Sequence, residues 1–508
     1  MTQMGSSLSL ADVLEPKGVP SLPLYIDGEW VDAADGASFD SYEPATGRVW
    51  ARLAEAGPED VEAAVAAARR AFEGEWGQVR APDRARVLLR MASVIDANRE
   101  QLALVESRDN GKALRETNAE LDAIVRYFEF FAGAAQSWYG QTMPETGPFF
   151  TYTRREAVGV VGAIVPWNSP LNMLAWKVCP ALAGGNTVVL KPAEDTPVSA
   201  LVLMSMFEEL ELPRGTLNVV TGFGARAGEA LVTSRGVDKI AFTGSTETGK
   251  RIGAKAVDTL KLVTFELGGK SPNIIFPDAD LEQAVARSAF GIFSAAGQSC
   301  MAASRTLVHR DVHDDFVAAF SAKARSIRVG DPFDPRTQVG ATTSKRQLEK
   351  IRGYVDIATE DGAEVAAGGR SPQLSGDAAE GWFFEPTVLD AVGNRDRVAS
   401  EEIFGPVTTV IVFDDEEEAV RLANETRYGL AGAVWTSDVK RAHRVAHRLR
   451  AGTVWINNYR VWNWLMPFGG YKESGYGREN GLEAMHHYTQ TKSVFVDLAE
   501  DSGDWYGD

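Results

Sequence analysis

The chain has 508 residues, 44% of them hydrophobic and 24% charged, a composition of ordinary globular domains. Its formal charge of −18 excludes the basic face that nucleic-acid binding requires, and two cysteines exclude a disulfide framework. The longest purely apolar run, Ala157 to Pro166, falls short of the ~20 residues of a membrane-spanning helix.

The length predicts roughly two to four domains. Met1 to Gly18 shows no basic segment followed by an apolar one, so it reads as a tail rather than an export signal. With so few cysteines, this predicts a cytoplasmic protein. Leu24 to Val31 reads as a hairpin turning at Asp27-Gly28. From Pro58 the pattern is helical, with Val61, Val65, Ala68, Phe72 and Trp76 at helical spacing. A second helical pattern through Val87, Leu88, Met91, Val94 and Ile95 runs ahead of a break at Asp109-Asn-Gly111. A third follows through Leu121, Ile124, Val125 and Phe128.

Phe149 to Arg155 alternates like an exposed arm. Buried strands are predicted at Val158 to Val165, Thr187 to Leu190, Leu217 to Val220, Lys239 to Phe242 and Leu262 to Phe265. Helical patterns separate them, one of them entered through Thr196 as a cap and Pro197 in its first turn. Such alternation predicts a parallel, doubly wound α/β sheet of Rossmann type, whose ligands lie beyond the carboxyl ends of the strands. Apolar runs at Thr306 to Val308, Thr387 to Leu389 and Val407 to Phe413, with helical patterns between, predict a second α/β domain. Ser493 to Leu498 is a late strand with no local partner.

Several segments at predicted strand ends carry chemistry. Gly244-Ser-Thr-Glu-Thr-Gly249 opens a helix, whose free N–H groups attract anions, although Thr246 replaces the middle glycine of the usual dinucleotide fingerprint. Gly222-Phe-Gly224 is a second, irregular candidate. Lys191-Pro-Ala-Glu194 offers donors and a carboxylate that suits ribose hydroxyls and opposes a 2′-phosphate. Pro166-Trp-Asn168 offers an amide that could donate to an oxyanion. Glu266, ending an apolar strand, is placed to become a desolvated base. Gly297-Gln-Ser-Cys300 sets a free thiol among small residues, as a nucleophile needs, though a buried structural thiol has the same signature.

Together these segments, with Phe242-Thr-Gly-Ser245, Glu266-Leu-Gly-Gly-Lys270, Glu402-Ile-Phe-Gly-Pro406 and Pro467-Phe-Gly-Gly-Tyr-Lys472, resemble the NAD(P)-dependent aldehyde dehydrogenase superfamily. The resemblance follows the family's order and spacing from about Tyr25 to Val496. It implies that Cys300 attacks an aldehyde, that Asn168 and the Cys300 N–H hold the oxyanion, and that Glu266 activates the water that hydrolyses a thioester. It implies NAD contacts from Trp167, Lys191, Glu194, Phe242, Gly244, Ser245, Gly249, Leu267, Glu402 and Phe404, with Glu194 favouring NAD over NADP. Substrate-lining positions would be Met173, Trp176, Ser299, Met301, Arg460, Trp462 and Phe468. The family implies a cofactor domain from residues 19–136 and 157–265 and a catalytic domain from residues 266–470. Residues 137–156 and 471–508 would be bridging elements of a homodimer or homotetramer.

Rival readings are weaker in the residues. A cysteine hydrolase needs a partner histidine, and none of the six stands in a recognisable motif. His443 and His447 have the spacing of a zinc pair but lack the glutamate of H-E-x-x-H, so no metal is expected. An acylating enzyme that uses coenzyme A would lack the Glu266 equivalent, and an inactive binding protein would have no need of Cys300, Glu266 and Asn168 together. For substrate, Arg460 suggests a carboxylated aldehyde. Trp462 and Trp464 suggest an aromatic or heterocyclic one, or, against the Arg460 charge, a quaternary ammonium.

Overall fold

The computed structural model describes residues 13–14, 18–501 and 503–507. Of the leading stretch Met1 to Gly18, all but Val13, Leu14 and Gly18 lies outside the described residues.

Leu24–Ile26 and Glu29–Val31 form the expected hairpin, and both turn residues are left-handed, Asp27 at φ 56° and Gly28 at φ 74°. That geometry matches the twist of the two strands, which is why Asp-Gly marks the turn. The helix Pro58–Glu73 opens with proline in its first turn, and Asp60 accepts the Gly57 N–H at 2.8 Å. The second helical pattern becomes two helices, Ala81–Ala97 and Arg99–Asn110. Asn98 breaks the run by leaving helical geometry, its amide donating back to the Val94 carbonyl at 2.8 Å. Leu114–Ser137 is the next long helix.

An eight-stranded sheet has the five predicted strands at its centre, all parallel. In order they are Leu262–Glu266, Lys239–Thr243, Val160–Ile164, Thr187–Lys191 and Leu217–Val219. Side chains of a strand point alternately to its two faces, and here both faces are apolar. Val160, Val189, Ile240 and Phe242 pack with Val61, Val65 and Ala68 of Pro58–Glu73. Val161, Ala163, Val188 and Ala241 join the core shared by Leu114–Ser137 and the helix Pro170–Gly184. The result is a doubly wound sheet. The hairpin extends one edge, and Gly475–Tyr476 pairs antiparallel with Leu262–Glu266 at the other.

A seven-stranded sheet follows, parallel except for its edge strand Glu364–Ala367. It includes Arg305–His309, Thr387–Asp390 and Val407–Phe413, as expected. The late strand finds its partner far away: Thr489–Asp497 pairs antiparallel with Phe149–Ala157 over nine residue pairs. One expected cap is corrected. The helix begins at Val198 with Pro197 at its cap, and Asp109 rather than Thr196 accepts the Val198 N–H, at 2.9 Å. Among the described residues, no helix is long and apolar enough to cross a membrane.

Candidate active site

The carboxyl end of the first sheet meets the second sheet around a cavity of about 210 Å³. Cys300, Glu266 and Asn168 all line it, from three distant parts of the sequence.

Cys300 follows the helix Leu281–Phe293 and a tight turn, Ser294–Gly297. Ala295, Ala296 and Gly297 are all left-handed, at φ 52°, 51° and 68°. A Cβ on Gly297 would lie 2.1 Å from the Gly405 carbonyl oxygen, so only glycine fits. Gly269 is held to glycine in the same way, because its Cβ would meet the Cys300 carbonyl oxygen at 2.2 Å. Asn168 stands just past the strand Val160–Ile164, and its side-chain amide donates to the Gln298 carbonyl at 2.9 Å. This bond orients an amide that carries a second N–H.

Glu266 closes the strand Leu262–Glu266 and is only 4% exposed. Its Oε2 is buried and has no hydrogen-bond partner among the described residues. Burial pushes the carboxyl well above its ordinary range, and the nearby Glu479 charge pushes it further, against the pull of Lys177 and Arg478. Lys177 donates to Glu479 at 2.5 Å and to Thr243 at 2.7 Å, and Thr243 is the register partner of Glu266 on the neighbouring strand. The Cys300 thiol is pushed up to about 12, first by burial and then by the Glu266 and Glu402 charges, with Arg460 opposing.

The thiol is therefore protonated in the free protein at neutral pH. Its thiolate fraction should rise about tenfold per pH unit well below that value. Iodoacetamide should alkylate Cys300 with a rate that climbs through pH 6 to 9 without a plateau. Glu266→Gln removes a neighbouring negative charge and should raise that rate at the pH values where the Glu266 carboxyl is ionised. A plateau near neutrality would contradict this account of the thiol.

Most of the residues expected around the cofactor also reach the cavity: Trp167, Gly244, Ser245, Leu267, Glu402 and Phe404. The Ser245 hydroxyl caps the helix Thr246–Ala256 by accepting from Thr248 at 3.3 Å. Glu402 accepts the Gly269 N–H at 2.8 Å. Four others lie elsewhere. Phe242 packs beneath Gly244 and against Phe265, and Gly249 lets its helix press on Leu267, whose Cδ2 would be 2.6 Å from an added Cβ. Lys191 is buried, with its Nζ donating to the Pro192 carbonyl at 2.7 Å and to Glu194 at 3.4 Å. Glu194 lines a separate, larger cleft beside Asp195 and Arg346.

All seven expected substrate positions line the cavity. Trp176 meets Phe468 and Trp462 edge-on, with ring centroids 5.3 and 6.2 Å apart. The Arg460 guanidinium donates through Nη1 to the Ser294 carbonyl at 3.2 Å and to the Ser294 hydroxyl. Sequence reasoning missed Ser169, Asn172 and Glu120, a polar part of the wall. Ser169, Asn172, Met173 and Trp176 recur at helical spacing, so the two named positions pointed to the other two. Lys177 and Glu479 lacked any local signal, since they meet only through the fold.

The model of the Aldehyde dehydrogenase family matches residues 30–494. The chain is 45% identical over 497 residues to aldehyde dehydrogenase family 2 member B4, mitochondrial, of Arabidopsis thaliana, covering 97% of this chain and 91% of that protein. The structure of an aldehyde dehydrogenase from Bacillus cereus in complex with NAD+ superposes with a TM-score of 0.92 at 45% identity, covering 94% of this chain and 97% of that one. Betaine aldehyde dehydrogenase of Staphylococcus aureus, also in complex with NAD+, gives 0.93 at 41% identity, covering 96% and 97%. With a family model spanning nearly the whole chain and relatives at this identity, the protein belongs to the aldehyde dehydrogenase family.

Proposed function

We propose that this protein oxidises an aldehyde to a carboxylic acid with NAD, through an adduct on Cys300 that water releases. The observation carrying this reading is the meeting of Cys300, Asn168 and Glu266 at one cavity.

The cofactor fits the residues present. Gly244 and Ser245 open a helix N-terminus onto the cavity, and Glu402 lines its wall with Trp167, Leu267 and Phe404. Glu194, with Lys191 beside it, would take the ribose hydroxyls. When bound, NAD supplies the two-electron acceptor that converts the Cys300 adduct to a thioester.

The remaining chemistry falls to the chain. The Cys300 sulfur bonds to the carbonyl carbon as the C=O π bond opens to the oxyanion, and its proton passes to solvent, because the free thiol is held protonated. The free N–H of the Asn168 amide and the Cys300 backbone N–H would stabilise the oxyanion. Glu266 is a carboxyl raised by burial, with an unpartnered oxygen, so it suits taking a proton from water at neutral pH. The hydroxide oxygen bonds to the acyl carbon, the carbon–sulfur bond breaks, and the sulfur takes the proton held by Glu266, restoring the thiol and releasing the acid. Glu266 favours water over coenzyme A as the acyl acceptor. Acid formation from aldehyde and NAD without coenzyme A tests this reading, and strict dependence on coenzyme A would overturn it.

NAD should be preferred over NADP, because the Glu194 carboxylate would repel a 2′-phosphate. Glu194→Ser should raise kcat/KM with NADP relative to NAD by about tenfold, the scale of one charged contact. Equal efficiencies of the unaltered protein with both cofactors would refute this. For substrate, the aromatic wall of Trp176, Trp462 and Phe468 and the commitment of Arg460 to Ser294 favour a neutral aromatic or heterocyclic aldehyde over a carboxylated one.

We further propose a cofactor domain from residues 19–136 and 157–265, a catalytic domain from residues 266–470, and bridging elements from residues 137–156 and 471–508. The exposed Phe150 and Phe495 on the two-stranded ribbon support a homodimer or homotetramer built there. The two free cysteines suit a cytoplasmic setting.

A further inference from the structure

The turn ahead of Cys300 holds two consecutive alanines in left-handed geometry, at φ 52° and 51°. Left-handed backbone in residues with a Cβ is strained and persists only where surrounding contacts impose it. Two side chains from outside the turn grip it. Glu116, on the helix Leu114–Ser137, accepts the Ala295 N–H at 2.7 Å. Arg460 donates to the Ser294 carbonyl at 3.2 Å and to its hydroxyl, and is itself left-handed at φ 63°. Within the turn, the Gln298 amide donates to the Ala295 carbonyl at 3.2 Å, and the Gln298 carbonyl is the acceptor that orients Asn168.

We propose that Glu116 and Arg460 are positioning residues that clamp the backbone on either side of the Ser294–Ala295 peptide and so aim the Cys300 thiol and N–H into the cavity. The clamp assigns work to a buried carboxylate that the reaction itself does not use. Glu116 has one oxygen on the turn, while the other is buried without a partner among the described residues. It also explains why an arginine stands beside Trp462 in the cavity wall. Arg460 is fixed by the turn it holds, and Phe290 lies under its guanidinium at 5.9 Å from the ring centroid. The charge of Arg460 also favours the Cys300 thiolate, against Glu266 and Glu402. The other charged groups lining the same cavity are Glu120 and Lys350.

The inference rests on Cys300 being the nucleophile, so the test separates the two. Cys300 is alkylated with iodoacetamide in the full-length protein without aldehyde, followed by peptide mass, and the hydride burst is measured separately. Glu116→Gln keeps an oxygen acceptor and should stay within about threefold of the unaltered protein in both. Glu116→Ala should slow both by about tenfold or more, with the aldehyde KM unchanged. Arg460→Met should slow the burst equally for a carboxylated and an uncharged aldehyde and lower alkylation at every pH, while Arg460→Lys should restore the pH profile by keeping the charge. Should Glu116→Ala not fold, amide hydrogen exchange across residues 294–300 decides. Faster exchange in Arg460→Met than in the unaltered protein supports the clamp, and unchanged exchange overturns it. Alkylation of Glu116→Ala at the unaltered rate would also overturn it, as would a KM rise in Arg460→Met confined to the carboxylated aldehyde. Failure of the nucleophile itself shows separately, as turnover retained by Cys300→Ala.

Discussion

Cys300→Ala is expected to lower aldehyde oxidation by a factor on the order of 10⁴ or more while leaving NAD binding within about twofold. In the proposed mechanism the thiol forms the bond to the aldehyde carbon, and none of the other cavity-lining side chains offers a comparable nucleophile. The proposed cofactor contacts Ser245 and Glu402 are untouched by the change. Steady-state rates and a cofactor titration by fluorescence check both halves. Cys179 provides the internal control. It is fully buried in the helix Pro170–Gly184, and burial pushes its thiol well up, so it is inert. Cys179→Ala should retain near-normal kinetics, because that side chain only packs.

Glu266→Gln should separate the two halves of the reaction. Reduced cofactor should appear in a burst approaching one equivalent per active site, and steady turnover should then fall by about a hundredfold or more, the usual scale of general-base loss. The amide keeps the size of the carboxyl but cannot take a proton from water. Rapid-mixing absorbance at the reduced-cofactor band reads both phases. Unchanged steady turnover at neutral pH would mean that another group serves as the base, and Glu479, whose charge acts on Glu266, is the first candidate.

Periodicity carried the fold a long way. The five central strands show continuous apolar runs because both of their faces are covered, and the structure places all five in one parallel sheet. Asn98 was harder to read, since a single side-chain bond to the backbone interrupts an otherwise helical run. The pairing of Phe149–Ala157 with Thr489–Asp497 left no local mark, because its register joins segments more than three hundred residues apart. Within the site, the residues at strand ends were visible as short distinctive segments. Lys177, Glu479 and Glu116 were not, because their significance lies in burial and in partners distant along the chain. Arg460 was visible beside its Trp-rich stretch, while its bond to Ser294 was not, because Ser294 lies far along the chain.

The account turns on an acyl group carried by Cys300 and released by Glu266. Its most direct test is intact-protein and peptide mass spectrometry of Glu266→Gln, quenched in acid seconds after mixing with NAD and an aldehyde. The account predicts a mass increase equal to the substrate acyl group on the peptide bearing Cys300, matching the burst in amount. A full burst with Cys300 unmodified would contradict it.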